Sequence, residues 1–167
     1  MLFNSLSFVV FLVIVLALYY SKLFNWTNKK RMLLLASYVF YGLWNPPLVI
    51  LLWISTVVDW TAGKRLAVED NDRKRKFWLL LSMFVNLGFL AFFKYGDFLL
   101  ENFVTIVNSF GIDYNARPMD IILPMGISFY TFQTMSYTID MYKRKTKPAR
   151  TFLDFALYVT FFPQLVA

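Results

Sequence analysis

The sequence predicts an all-helical bundle that crosses a lipid bilayer several times, and two observations lead to this fold class. Hydrophobic residues make up 59% of the chain and charged residues only 16%, a balance far from that of a typical soluble domain. Fifteen of the seventeen Lys and Arg residues also lie in three clusters, within 22–31, 64–76 and 143–150, separated by largely apolar stretches. Basic residues concentrate in the cytoplasmic loops of membrane proteins. The clusters are therefore predicted to lie inside, with the N-terminus outside.

Six apolar segments are predicted as helices of the bundle. Their approximate bounds are 5–23, 26–44, 48–68, 77–93, 121–141 and 152–167. A tight external turn at 45–47 is expected between the second and third segments, because two consecutive prolines there cannot continue a helix. The apolar cores of these two segments are short. A re-entrant hairpin over 32–58 therefore stays open beside two full crossings.

The two ends of the chain give separate expectations. No Lys or Arg precedes the first apolar segment and no small-residue cleavage pattern follows it, so it is predicted to be an uncleaved first span. The last segment stops in apolar sequence without a polar flank. Residues 1–167 are therefore expected to form one incomplete domain, the front part of a longer polypeptide.

Residues 97–110 are predicted to form an interfacial amphipathic helix rather than a crossing helix. Polar residues such as Asp97, Glu101 and Thr105 recur on one helical face, and apolar side chains fill the other faces. Gly111 is expected to end this helix. The following residues, up to 120, are expected to form an external loop.

Segment 123–140 is unusually polar for a membrane-crossing helix. At helical spacing, one stripe contains Gly126, Phe129, Gln133, Ser136, Tyr137 and Asp140. Such side chains need partners in protein or water, so the stripe is expected to face the bundle interior or a cavity. Hydrogen bonding between helices is one open role. Lining of a substrate tunnel is the other, and its candidates are Gln133, Ser136, Tyr137, Asp140 and Gln164.

Two carboxylates lie close in sequence to basic clusters on the predicted inner side. For Asp59 and Asp140, partial neutralisation by Lys64, Arg65 or Lys143 is the favoured expectation. A proton relay would need several carboxylates at mid-membrane depth, and the sequence offers no such set.

Two further polar features are expected inside the bundle. Ser82 and Asn86 are one helical turn apart, so they are expected to pair with a neighbouring helix. Pro163 and Gln164 are expected to break the last helix and to free backbone groups that only protein or water can satisfy. This break is a second candidate for a functional wall.

Several chemistries are excluded by composition. The chain has no cysteine and no histidine, so it offers no disulfide, no thiolate metal site and no histidine base or ligand. No phosphate loop, dinucleotide fingerprint, catalytic triad or metal-ligand cluster occurs. Each basic cluster flanks an apolar segment, so the expected anionic partner of the net charge of +7 is bilayer lipid and not nucleic acid.

Short segments over nearly the whole chain are similar, in the same order, to one known family. They are residues 1–5, 36–46, 55–60, 86–89, 92–95, 123–142 and 152–167. Together they resemble the N-terminal part of bacterial membrane-bound O-acyltransferases of the alginate O-acetylation type. This resemblance implies a ring of tilted helices around a tunnel, with a catalytic histidine deep inside it. Because this chain has no histidine, no catalytic residue is predicted in it, and these residues are expected to be inactive alone.

The resemblance also implies an activity and its partners. An acyl group, expected to be acetyl, would pass from a cytoplasmic thioester donor, acetyl-CoA or an acyl carrier protein, to a hydroxyl of an extracytoplasmic polysaccharide or cell-envelope polymer. The implied partners are the lipid bilayer of the bacterial inner membrane, the remainder of the same enzyme and an extracytoplasmic acyltransferase. A non-enzymatic membrane scaffold and a small transporter are the two alternative functions.

Overall fold

A computed structural model describes residues 6–43, 46–116 and 126–165, and every regular element in these ranges is a helix. The helices are α1 (Leu6–Tyr20), α2 (Trp26–Gly42), α3 (Pro46–Val68), α4 (Asp72–Ser109), α5 (Ile127–Tyr142), α6 (Phe152–Thr160) and α7 (Phe162–Leu165). The all-helical prediction is therefore confirmed for these residues. Within them, α4 is long and apolar enough to cross a membrane, and α1 is a shorter apolar helix.

Helix α4 differs from its prediction, because it joins the expected crossing helix and the expected interfacial helix into one. It has 38 residues, or about 57 Å of length, against about 30 Å for the hydrocarbon core of a bilayer. The only break signal between the two predicted helices is Gly96, which costs a helix about 1 kcal/mol and is buried here. The expected start at residue 97 is therefore wrong. Gly111, at φ +82°, ends the helix as expected.

Helix α3 begins two residues before its predicted start. Pro46 and Pro47 lie in its first turn, where a helix has no backbone bond to lose at a proline nitrogen. Residues 44 and 45, where the external turn was expected to begin, lie outside the described residues. So do residues 117–125, which include the last part of the external loop and the expected start of the fifth span, and residues 1–5 and 166–167. The choice between a re-entrant hairpin and two crossings stays open.

The helices pack around two apolar clusters. The larger cluster contains residues from each of the five helices α2, α3, α4, α5 and α6. They are Tyr41, Leu52, Leu90, Ile127, Tyr130, Phe155 and Val159. The smaller cluster joins α1, α2 and α7, where the Phe162 ring lies 5.3 Å from that of Phe11 and 5.5 Å from that of Phe40. Helices α6 and α7 therefore lie against α2.

The last helix is broken, as predicted, and the break lies at Phe161. This residue has ψ of 109°, outside the helical region, and separates α6 from α7. The position follows from Pro163, whose ring would clash with the carbonyl of Val159 if the helix continued. The freed N–H of Phe162 donates to the Ser37 hydroxyl of α2 at 3.2 Å. A protein side chain thus satisfies the backbone group that the break exposes.

One arginine of the second basic cluster is buried and ties three helices together. Arg75, in the first turn of α4, is only 4% exposed. Its guanidinium donates to four backbone carbonyls at the C-terminal ends of α3 and α5, those of Leu66, Glu69, Met141 and Tyr142. Cations are stabilised at helix C-termini, where unpaired carbonyls carry partial negative charge.

Candidate functional site

Three of the five predicted tunnel-lining residues meet in one hollow at the C-terminal half of α5. Ser136, Tyr137 and Asp140 line a cavity of about 370 Å³ between α5, α6 and the loop that joins them. Tyr158 of α6 closes the other side, and Lys147 of the loop reaches the same cavity. The hollow therefore combines a hydroxyl, two phenols, a carboxylate and an ammonium group in one place.

Gln164 lies in a second hollow, next to the first. This cavity has about 320 Å³ and is also lined by Asp154 and Tyr158. Tyr158 lines both cavities, so the two hollows are neighbours. We call this combined surface, which runs from Asp140 past Tyr158 to Gln164, the polar groove.

Gln133, the fifth candidate, lines neither hollow but forms a hydrogen bond to Tyr158, which lines both. Its side-chain Nε2 donates to the Tyr158 backbone carbonyl at 3.0 Å, so the glutamine joins α5 to α6. Its Oε1 is buried and has no hydrogen-bond partner among the described residues. Of its two open roles, the structure shows hydrogen bonding between helices, and the unpartnered acceptor beside the groove keeps the other open.

Tyr137 is held in the groove wall by contacts on both sides. Its ring packs 4.8 Å from that of Phe155, and its hydroxyl accepts from the Ala149 N–H at 3.4 Å. On the other side lies Gly63 of α3, where an added Cβ would come within 2.7 Å of the Tyr137 Cε1 atom. The sequence analysis did not single out Gly63, although a glycine inside a helix often marks such a close approach.

The face of α5 that enters the bundle is not the predicted stripe. The buried face carries Tyr130, Thr134, Thr138 and Met141, whereas Ser136 on the stripe is exposed. The last three residues of the stripe, Ser136, Tyr137 and Asp140, line the polar groove, which corresponds to the cavity alternative. Gly126 starts the helix at φ +73°, a left-handed conformation that favours glycine.

Behind α5, a buried carboxylate is held by hydrogen bonds and not by cations. Asp59 of α3 is fully buried and accepts from the Ser82 hydroxyl and, at 2.8 and 2.9 Å, from the Asn86 amide. The expected pairing of Ser82 and Asn86 with a neighbouring helix is therefore confirmed. The Thr134 hydroxyl extends the network by donating to the side-chain Oδ1 of Asn86 at 3.3 Å.

The expected neutralisation of Asp59 by Lys64 or Arg65 is wrong. Five and six residues along a helix place a side chain more than 100° away around its axis. In the structure, Lys64 lies over the Trp60 ring at 4.6 Å and Arg65 over the Trp78 ring at 5.9 Å. Asp59 points instead toward α4 and α5.

Asp140 also differs from its expected pairing. Within the described part of the chain, it forms no ion pair with Lys143 or another cation. The carboxylate lies in the polar groove, whose lining includes Lys147.

The described residues form a helical bundle with one helix that is long and apolar enough to cross a membrane. Comparison with known proteins shows what the chain is similar to. The chain is 38% identical, over its whole length, to proteins named as probable alginate O-acetylases of Pseudomonas aeruginosa and Azotobacter vinelandii. It is 33% identical, over 83% of its length, to a peptidoglycan O-acetyltransferase of Helicobacter pylori. The predicted resemblance of the chain to the N-terminal part of membrane-bound O-acyltransferases of the alginate O-acetylation type is thus confirmed.

The match covers only part of each relative. It corresponds to 32% and 33% of the two alginate O-acetylases and to 30% of the peptidoglycan enzyme, in their N-terminal part. The chain therefore spans about a third of the length of the curated relatives it matches. No protein-family model matches the chain, and no solved structure shows significant similarity to it.

Proposed function

We propose that the chain forms the N-terminal portion of a membrane enzyme that transfers an acetyl group to a cell-envelope polymer. The donor is a cytoplasmic thioester, acetyl-CoA or an acetylated carrier protein, and the acceptor is a hydroxyl of an extracytoplasmic polysaccharide. The names of the relatives support this proposal, because alginate and peptidoglycan both present sugar hydroxyls.

The polar groove is the structural observation that carries the proposal. Polar side chains at membrane depth need water, protein or ligand beside them, and Ser136 and Asp140 face a cavity rather than a neighbouring helix. The groove also opens beside the loop that carries the third basic cluster, because Lys147 and Ala149 line its wall. We assign to it the role of a tunnel wall along which an acyl chain or its acceptor passes.

The chain itself supplies no base for the reaction. When a hydroxyl attacks a thioester carbonyl, it must lose its proton, and histidine is the side chain most often used for this step. The sequence has no histidine, so we assign the base to the remainder of the same enzyme. The residues of this chain bind and orient, and we assign no proton transfer to them.

The proposed arrangement in the membrane follows from charge. The chain is multi-pass in the bacterial inner membrane, with the three basic clusters in the cytoplasm and the N-terminus outside. The donor then arrives on the side of the α5–α6 loop. An extracytoplasmic acyltransferase is the expected partner where the acetyl group is relayed before it reaches the polymer.

Deletion and complementation of the complete reading frame test the function. We expect deletion to remove base-releasable acetate from the isolated envelope polymer and the intact gene to restore it. A Ser136→Leu variant, which fills the groove, should lower the restored acetate at least about tenfold, the equivalent of 1.4 kcal/mol in the barrier. Phe84→Leu, on the exposed face of α4, is the matched control and should restore it fully.

Two outcomes would contradict the proposal. Unchanged polymer acetate after deletion would exclude the transfer reaction. If the Ser136→Leu variant restores polymer acetate to the deletion strain as well as the intact gene does, the groove is excluded as the tunnel wall and a scaffold role is favoured.

A further inference from the structure

A second hollow lies at the inner end of α3, outside the polar groove. It has about 640 Å³ and lies between the last turns of α3 and the end of the α5–α6 loop. Its lining includes three cationic side chains, Lys64, Arg65 and Arg150, together with Trp60. No carboxylate is among its lining residues. We call it the inner basic hollow.

None of the three cations is neutralised within the described part of the chain. Its three ion pairs are Lys30–Asp154, Lys74–Glu69 and Arg144–Asp70. Glu69 and Asp70, which directly follow α3, and Asp154 are all paired with these other cations, and Asp59 accepts from Asn86. Three positive charges without a carboxylate partner around one concave surface therefore attract an anion.

The floor of the hollow is rigid. The Trp60 ring packs 6.0 Å from that of Phe152 and 5.9 Å from that of Phe155, both on α6. Lys64 lies over this fixed ring at 4.6 Å, and a cation so placed is attracted to the aromatic face. The tryptophan thus holds the ammonium group toward the hollow before any ligand arrives.

We infer that the inner basic hollow binds a phosphate-bearing anion. Arginine matches phosphate geometry with paired N–H groups, and lysine adds a compact charge. A lipid headgroup and the phosphates of a nucleotide thioester share this chemistry. Ala149 lines both this hollow and the polar groove, so a ligand bound here lies next to the groove entrance. The inference does not depend on the proposed acetyl transfer, because binding is measured directly.

The test is a binding measurement on the complete protein purified in detergent. Its two ligand arms are coenzyme A and dioctanoyl phosphatidylglycerol, and dioctanoyl phosphatidylcholine controls for the lipid tails. The triple variant Lys64→Gln, Arg65→Gln, Arg150→Gln should weaken the binding of one of the two anions at least about tenfold, since one charge-assisted hydrogen bond is worth about that factor. The arm that responds identifies the source of the phosphate.

Two further variants separate a binding role from a folding defect or a general charge effect. The triple variant Arg73→Gln, Lys76→Gln, Lys145→Gln removes the same charge from exposed positions outside the hollow and should leave both dissociation constants within about twofold of the parent protein. The charge-conserving variant Lys64→Arg, Arg65→Lys, Arg150→Lys should retain binding. Equal weakening by the two glutamine variants, or unchanged binding of both anions in the first, would overturn the inference.

Discussion

Replacing Arg75 with alanine should destabilise the protein far more than replacing its neighbour Arg73. The Arg75 guanidinium is 4% exposed and donates to the ends of two other helices, with N···O distances of 2.6 Å to Tyr142 and 3.0 Å to Glu69. Each charge-assisted bond contributes about 1.5–3 kcal/mol. Because carbonyls at helix ends can recover water, we expect a loss of about 3 kcal/mol in all.

Thermal unfolding of the detergent-purified protein measures this loss. For a domain of this size, about 3 kcal/mol corresponds to a fall of about 6–12 °C in the apparent melting temperature. Arg73 is exposed and makes no comparable contacts, so its alanine variant should change stability by less than about 0.5 kcal/mol. If the Arg75→Ala and Arg73→Ala variants had the same melting temperature, the role of Arg75 as a cap for α3 and α5 would be refuted.

Substitutions at four other positions have expected effects on the same apparent melting temperature. Gly63→Ala should destabilise by about 1–3 kcal/mol through the 2.7 Å contact with Tyr137, and a Tyr137→Ala change should remove most of that penalty. Gly88→Ala, with nothing within 4 Å of the added carbon, should be neutral or stabilising, and equal effects at the two glycines would contradict the contact. Asp59→Ala should cost about 2 kcal/mol or more, because it removes the buried carboxylate that accepts from the Ser82 hydroxyl and the Asn86 amide, and a neutral result would contradict a stabilising role of this network. Ser37→Ala should cost about 1 kcal/mol, because the Phe162 N–H loses the hydroxyl that accepts its hydrogen bond. An unchanged melting temperature would show that this N–H finds another acceptor.

Local sequence patterns predict the helices well because hydropathy and breakers act within a few residues. From the sequence, the break in the last helix is expected at Pro163. In the structure it lies two residues earlier, at Phe161. The turn-spaced pair Ser82 and Asn86 is correctly expected to bond across helices. The continuous α4 is missed, because one glycine is too weak a break signal when the surrounding helix is packed.

The partners of individual charges cannot be predicted from nearness along the chain. Asp59 is followed within six residues by two cations, yet its acceptors are filled from α4 because it lies on another face of α3. Arg75 looks like any member of a basic run, and only the convergence of α3 and α5 on it explains its burial.

Membrane topology tests the central claim most directly, because the direction of α4 decides on which side of the membrane the donor, the inner basic hollow and the groove lie. Residues 1–167 contain no cysteine, so the single variants Lys74→Cys and Tyr114→Cys each place one thiol in this part of the protein, and any cysteine elsewhere in the complete protein is first replaced by serine. In intact cells, a membrane-impermeant maleimide should label position 114 and reach position 74 only after permeabilisation. Labelling of position 74 in intact cells would contradict the account.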